Sequence, residues 1–231
     1  MKKLLFLFFF FLSSLANAQH VARLGSLPAF SFQWPVNDLV GQNIGLSSQM
    51  LFFRVPETEQ ESAYRLINVN FTYSVGYKYS PGLHLGAGLL FRLVDPARDL
   101  AYEIRPSQQV TFIKNTRKFR IRNRFTLEER FFTNRMNEFD LRMRYSLGAD
   151  FPLTGQQLDP GENYLNFSSE ILSTPTSEKY SNSFNYRPYA AFGRKFNQYQ
   201  KLEVGVELRT QVMVEDVPDI WFLRITWFYS S

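Results

Sequence analysis

The sequence predicts an all-β fold: an antiparallel, up-and-down transmembrane β-barrel of about ten strands, with eight and twelve as the alternative counts. Three observations predict it. Long segments alternate residue by residue between apolar and polar side chains, the period of a strand with two unlike faces. The apolar face of that alternation is crowded with large rings, and Phe, Tyr and Trp together make up 17% of the chain. The first 18 residues read as an export signal, and no later run is long and apolar enough to cross a bilayer as a helix.

The export signal comes first. Lys2 and Lys3 precede an uncharged run from Leu4 to Leu15, and Ala16-Asn17-Ala18 closes it. A basic start, a short greasy core and small residues at the cut define a secretory signal peptide over residues 1–18. The core is about 12 residues, whereas a spanning helix takes roughly 20, so cleavage after Ala18 is expected rather than a retained anchor. The chain contains no cysteine, which excludes a lipid-modified N-terminal cysteine and a disulfide framework. Removing the two lysines lowers the formal charge from +5 to +3, with 24 basic residues against 21 acidic ones. An exported chain so nearly balanced is not expected to bind nucleic acid.

Residues 19–42 show no clear period and are expected to form a periplasmic lead-in or part of a plug. Residues 43–231 are expected to form the barrel, with strands near 43–54, 65–79, 83–94, 103–114, 119–131, 139–151, 163–173, 185–196, 201–213 and 220–229. From Ile67 to Tyr79 the odd positions read I, V, F, Y, V, Y, Y, against N, N, T, S, G, K. From Phe139 to Phe151 they read F, L, M, Y, L, A, F, against D, R, R, S, G, D. From Leu202 to Val212 the even positions read L, V, V, L, T, V, against E, G, E, R, Q. Trp221, Leu223, Ile225, Trp227 and Tyr229 share one face of the last segment. Turn chemistry separates the segments at Ser80-Pro81-Gly82, Asp95-Pro96, Asn115-Thr116, Asp159-Pro160-Gly161, Asn197-Gln198 and Asp216-Val217-Pro218.

The direction of the greasy face follows from volume. Phe71, Tyr73, Tyr77, Phe139, Tyr145, Phe151 and Trp227 would overfill the interior of a small barrel, whereas facing lipid they fit. Each segment is about 10 to 15 residues, enough for the roughly 9 to 11 that a tilted strand needs to cross the hydrocarbon. Only a closed barrel satisfies every backbone polar group there. An even strand number would put both termini in the periplasm. The connections at 55–64, 95–102 and 174–184 would then be extracellular, and the long connection at 152–162 would fall among the short periplasmic turns.

The stretch RIRNRFTLEERF at 120–131 then turns its cations inward. Arg120, Arg122, Arg124 and Arg130 share a face with Glu128, and the next strand adds Asp140, Arg142 and Arg144. Glu103, Glu170, Glu203 and Glu207, with Arg209 beside the last, supply the compensating charge. The lumen of so small a barrel is expected to be filled by these side chains as an Arg–carboxylate network, because an unpaired buried charge is costly. The alternative reading of the same residues is a narrow anion-selective constriction. Asn123 and Glu129 interrupt the apolar row, and Glu129 is expected to lie beyond the hydrocarbon or to mark a bulge.

The segments NRFTLEERF (123–131), LRMRYSLGADF (141–151), NFSSEIL (166–172) and YRPYAAFG (186–193) resemble an uncharacterised outer-membrane barrel family common in Bacteroidota, a domain family of unknown function. The likeness covers roughly residues 65 to 228. Tyr186 stands where the family pattern has an asparagine before the arginine. The resemblance implies an outer-membrane barrel and carries over no catalytic residue.

The remaining chemistry points away from catalysis. Only His20 and His84 could serve as an imidazole base, and His20 adjoins the cleavage site. No cluster has metal-ligand spacing, and Gly86-Ala87-Gly88 lies inside a strand rather than in a phosphate loop. A lipid-modifying outer-membrane enzyme is the least favoured alternative. The expectation is a non-enzymatic barrel in the outer membrane of a Gram-negative bacterium, without a cofactor. Its expected partners are outer-membrane lipid and the barrel-assembly machinery that reads an aromatic last strand such as WFLRITWFYSS.

Overall fold

A computed structural model of the chain describes residues 23–53, 64–116, 118–133, 139–155, 158–176, 184–212 and 219–231. The expected signal peptide at 1–18 lies outside them. The described residues contain no helix long and apolar enough to cross a membrane. They form eleven strands: β1 (Arg23–Pro35), β2 (Val40–Phe53), β3 (Arg65–Ser80), β4 (Leu83–Val94), β5 (Ala101–Asn115), β6 (Arg120–Phe132), β7 (Phe139–Pro152), β8 (Asn163–Ser173), β9 (Phe184–Lys195), β10 (Gln200–Val212) and β11 (Ile220–Ser230). Each strand pairs antiparallel with its sequence neighbour, and β1 pairs with β11 to close the barrel.

The strand beyond the expected ten is the first. Residues 23–35 are part of the wall, not a lead-in or a plug. Their alternation is partly hidden, since Leu27 falls among inward positions while Ser26 and Pro28 fall among outward ones. Phe30, Phe32 and Trp34 nevertheless alternate with Ser31 and Gln33. An odd number of strands cannot alternate in direction all the way round, so one pair must run parallel. That pair is β1–β11, in register from Arg23↔Ile220 to Gln33↔Ser230. The strand-forming chain therefore begins at one end of the barrel and finishes at the other, instead of starting and ending on the same side. Strands joined through 36–39, 81–82, 116–119, 153–162 and 196–199 meet at the end where β11 finishes, hereafter the short-turn end. Those joined through 54–64, 95–100, 133–138, 174–183 and 213–219 meet where β1 begins, the long-connection end.

The long stretch at 153–162 does fall at the short-turn end, and its described part is tied to β9. The Gly161 amide donates to the Lys195 carbonyl, and the Lys195 amide donates to the Glu162 carbonyl. Lys195 Nζ donates to the Leu158 carbonyl at 2.9 Å. Gly161 has a φ of +88°, the left-handed region that glycine enters without a Cβ penalty.

Three prolines stand inside strands rather than at an edge, and each interrupts one ladder because it lacks an N–H. Pairing lapses at Leu27 and Pro28 between β1 and β2, at Arg105 and Pro106 between β5 and β6, and at Arg187 and Pro188 between β9 and β10. On its other side each proline keeps its place, opposite Ile225, Leu89 and Ser169 respectively. Of the two readings of Glu129, a position beyond the hydrocarbon or a bulge, the bulge is absent: the β6–β7 register runs unbroken from Arg120↔Asp150 to Phe131↔Phe139.

The two faces are inverted relative to a water-soluble protein. Outward Phe125 and Met143 are 53% and 52% exposed, whereas inward Glu103 and Phe222 are 1% and 0% exposed. Outward rings gather toward both rims. At the short-turn end Phe32 lies 5.2 Å from Trp34 and 5.4 Å from Tyr229 between centroids, and Phe196 stacks on Trp227 at 5.8 Å. At the long-connection end Phe91 meets Tyr102 at 5.7 Å and Phe131 meets Phe139 at 5.5 Å.

Candidate functional site in the charged lumen

Period two carries the inward charges to one surface, and the register decides which of them meet. Glu103 on β5 takes three guanidiniums: Arg92 at 3.2 Å, Arg105 at 2.7 Å and Arg130 at 2.6 Å. Arg105 reaches on to Glu128 at 3.1 Å. Glu128 also takes Arg144 at 3.0 Å and, at the limit of an ion pair, Arg142 at 3.9 Å. Arg144 continues to Glu170 at 3.3 Å, and Glu170 holds Arg187 at 3.5 Å. Arg130 has Asp140 as a second partner at 3.6 Å.

The chain of contacts extends the other way through amides. Arg92 Nε donates to Asn70, Asn70 to Asn68, and Asn68 to Gln49. Gln49 also accepts from Arg209 at 3.1 Å, a bond that spans the parallel seam from β10 to β2. Arg209 then pairs with Glu207 at 2.7 Å, and Glu207 with Arg224 at 3.1 Å. This belt touches every strand from β2 to β11, and all its members lie in the long-connection half of their strands. Phe222 fills the gap beside it, with the Arg209 guanidinium 4.7 Å above its ring.

The short-turn half has separate, smaller groups. Arg120 and Arg122 share Asp150, at 2.8 and 3.1 Å, and Asn166 donates to the same carboxylate at 2.7 Å. Glu203, expected to compensate arginine, instead accepts from Tyr164 Oη at 2.7 Å and takes Lys201 at 3.5 Å. The reason is register: Glu203 lies opposite Gly193 on β9, whose missing side chain leaves room for the Tyr164 ring from β8. Arg124 has neither an ion pair nor a hydrogen bond among the described residues, and its side chain is exposed to the lumen. Outside the barrel, Asn123 is accommodated by the Tyr145 hydroxyl, which donates to it at 2.9 Å.

Of the expected lumen residues, Arg130, Arg142, Arg144, Glu128, Glu170, Glu207 and Arg209 come together in the belt. Arg120 and Arg122 form the Asp150 group, Glu203 the tyrosine group, and Arg124 stands apart. Sequence reasoning missed Arg105, Asp150, Arg187 and Arg224 as partners. Arg105 was legible as the residue two positions after Glu103, but Pro106 breaks the polar pattern just beyond it. Arginines outnumber carboxylates here, and the Nε atoms of Arg142, Arg144 and Arg187 are buried without a protein partner. Among the described residues no three acidic or histidine side chains converge as a metal site would require.

The glycine under Tyr164 makes a testable point. A Cβ at Gly193 would overlap the Tyr164 ring. Gly193→Ala is therefore expected to push the ring off Glu203 and cost about 1–3 kcal/mol, the usual penalty of overpacking. The check is the urea midpoint of refolded protein in micelles, and an unchanged midpoint would mean that the ring relaxes freely.

Residues 50–213 match a protein family described as "Protein of unknown function (DUF2490)". No curated protein and no solved structure matches the chain.

Proposed function

The chain belongs to the DUF2490 family, and we propose that it is a small outer-membrane β-barrel of a Gram-negative bacterium whose charged lumen closes it to solute flow. The observation that carries this reading is the inversion of its faces. A continuous outward surface of large apolar side chains surrounds an interior of buried ion pairs, the arrangement suited to a wall bathed in lipid. In water, so large an exposed apolar surface would drive association.

The rims support the same reading. On β7, outward rings stand at Phe139 and at Phe151, twelve residues on. At about 3.4 Å per residue and a tilt near 45°, that spacing spans roughly 29 Å, close to the hydrocarbon thickness of a bilayer. Aromatic girdles at both interfaces are the usual companions of such a band. The resemblance to a Bacteroidota outer-membrane family points the same way, and β11 offers the assembly machinery an outward row of Trp221, Leu223, Ile225, Trp227 and Tyr229. Its partners are outer-membrane lipid and that machinery, and its role is structural or adhesive rather than enzymatic.

Two measurements test this. Leu89 faces outward in the middle of β4, beside Tyr73 and Pro106. In a bilayer, Leu89→Arg is expected to cost about 2–4 kcal/mol, read as a lower folded fraction in a heat-modifiable gel assay in vesicles. In a soluble barrel the same exposed substitution would change stability by no more than about 0.5 kcal/mol, and that result would sink the membrane assignment. The second measurement is planar-bilayer recording, where a silent bilayer is expected. A steady anion-selective current, reduced by Arg142→Ala, would instead establish the channel reading.

A further inference from the structure

We infer that the short-turn end of the lumen is a binding site for a small, multiply charged oxyanion of the phosphate-monoester class. A cavity of about 880 Å³ opens there, within the range of roughly 300–1,000 Å³ typical of small-molecule sites. Lys78, Arg120, Arg122, Arg124, Lys195 and Lys201 line it, against one carboxylate side chain, Asp38. Neighbouring groups occupy some of this charge: Asp150 holds Arg120 and Arg122, and Glu203 holds Lys201. The surplus remains. Arg124 is exposed to the cavity without an ion pair or hydrogen bond among the described residues, and Arg122 Nε is a buried donor without a protein partner.

The arrangement comes from one strand. Arg120, Arg122 and Arg124 are alternate residues of β6, so they leave the backbone along one luminal row at about 6.6 Å per pair. Planar guanidinium forks bind phosphate through paired charge-assisted hydrogen bonds, which a row of lysines would not reproduce. Gln109 and Thr111 add neutral donors from β5. The belt of ion pairs fills the opposite half of the lumen, so an entering anion meets a floor rather than an exit. The cavity and its cations belong to the short-turn half, so the site depends neither on what covers the outer face nor on whether the opposite half conducts.

The test is calorimetric titration of refolded mature protein in phosphatidylcholine nanodiscs with inorganic phosphate and glycerol 3-phosphate, at constant ionic strength set by chloride. Saturable binding of one anion per barrel is expected. Arg124→Gln, which removes no internal bond, is expected to weaken it by at least about tenfold, the loss of a charge-assisted hydrogen bond, with an unchanged urea midpoint. Lys118→Gln, an exposed cation at the same end but outside the cavity, is expected to leave affinity unchanged. Absence of saturable binding, indifference to Arg124→Gln, or an equal loss in Lys118→Gln would each overturn the site. Competition by phosphatidic acid placed in the nanodisc would overturn the assignment to a free solute and transfer it to a lipid headgroup. A bilayer that conducts would refute the closed-barrel reading without touching the titration result.

Discussion

Glu103→Ala is expected to destabilise the barrel by about 3–5 kcal/mol, the range for breaking a buried ion pair from one side. Glu103 is 1% exposed and is the shared partner of Arg92, Arg105 and Arg130, each within 3.2 Å. Its removal leaves three cations facing one another in a crowded interior. Arg105 and Arg130 retain Glu128 and Asp140, whereas Arg92 keeps, among the described residues, only its hydrogen bond to Asn70. Adding Arg92→Met to Glu103→Ala is therefore expected to recover part of the loss, since it removes the cation left with the least compensation. Urea titration in micelles, followed by tryptophan fluorescence, reads both variants. A loss below about 1 kcal/mol for Glu103→Ala would mean that water screens the belt as it screens a surface pair.

Deleting residues 23–35, with the signal peptide kept, is expected to abolish the compact heat-modifiable form altogether. β1 is in register with β11 from Arg23 to Gln33 and with β2 from Leu24 to Pro35. Its loss leaves two open edges, and each unpaired backbone group in a hydrocarbon environment costs several kcal/mol. β2 and β11 run antiparallel and could in principle pair directly into a ten-stranded barrel. Barrel diameter grows with strand number, however, and the narrower lumen would have to hold the same Phe222, Tyr164 and belt of arginines. The seam-spanning bond from Arg209 to Gln49 would also lose its geometry. A compact band from the deletion variant would show that β1 is dispensable, as a lead-in or plug would have been.

The strands from β2 to β11 were legible because alternation is a local property, and each runs through a dozen or so residues with mostly bulky apolar side chains on one side. β1 escaped because Ser26, Leu27 and Pro28 blur the contrast in its first half, leaving only Phe30, Phe32 and Trp34 to signal it. The inward placement of Arg120, Arg122, Arg124 and Glu128 was legible for the same reason as the strands. Their partners were not. Glu203 illustrates why: its neighbours are set by a glycine on the adjacent strand and a tyrosine one strand further, and neither is visible from the sequence around residue 203.

The sequence by itself determined that this chain makes strands with a greasy face and a charged face, and which side chains lie on each, because a period of two is written in consecutive residues. The tertiary structure alone decided the eleven-strand closure, the parallel seam and the pairing of each arginine. These depend on which strands become neighbours and on the register between them. Residues as distant as Gln49 and Arg209 meet only once the sheet has closed on itself.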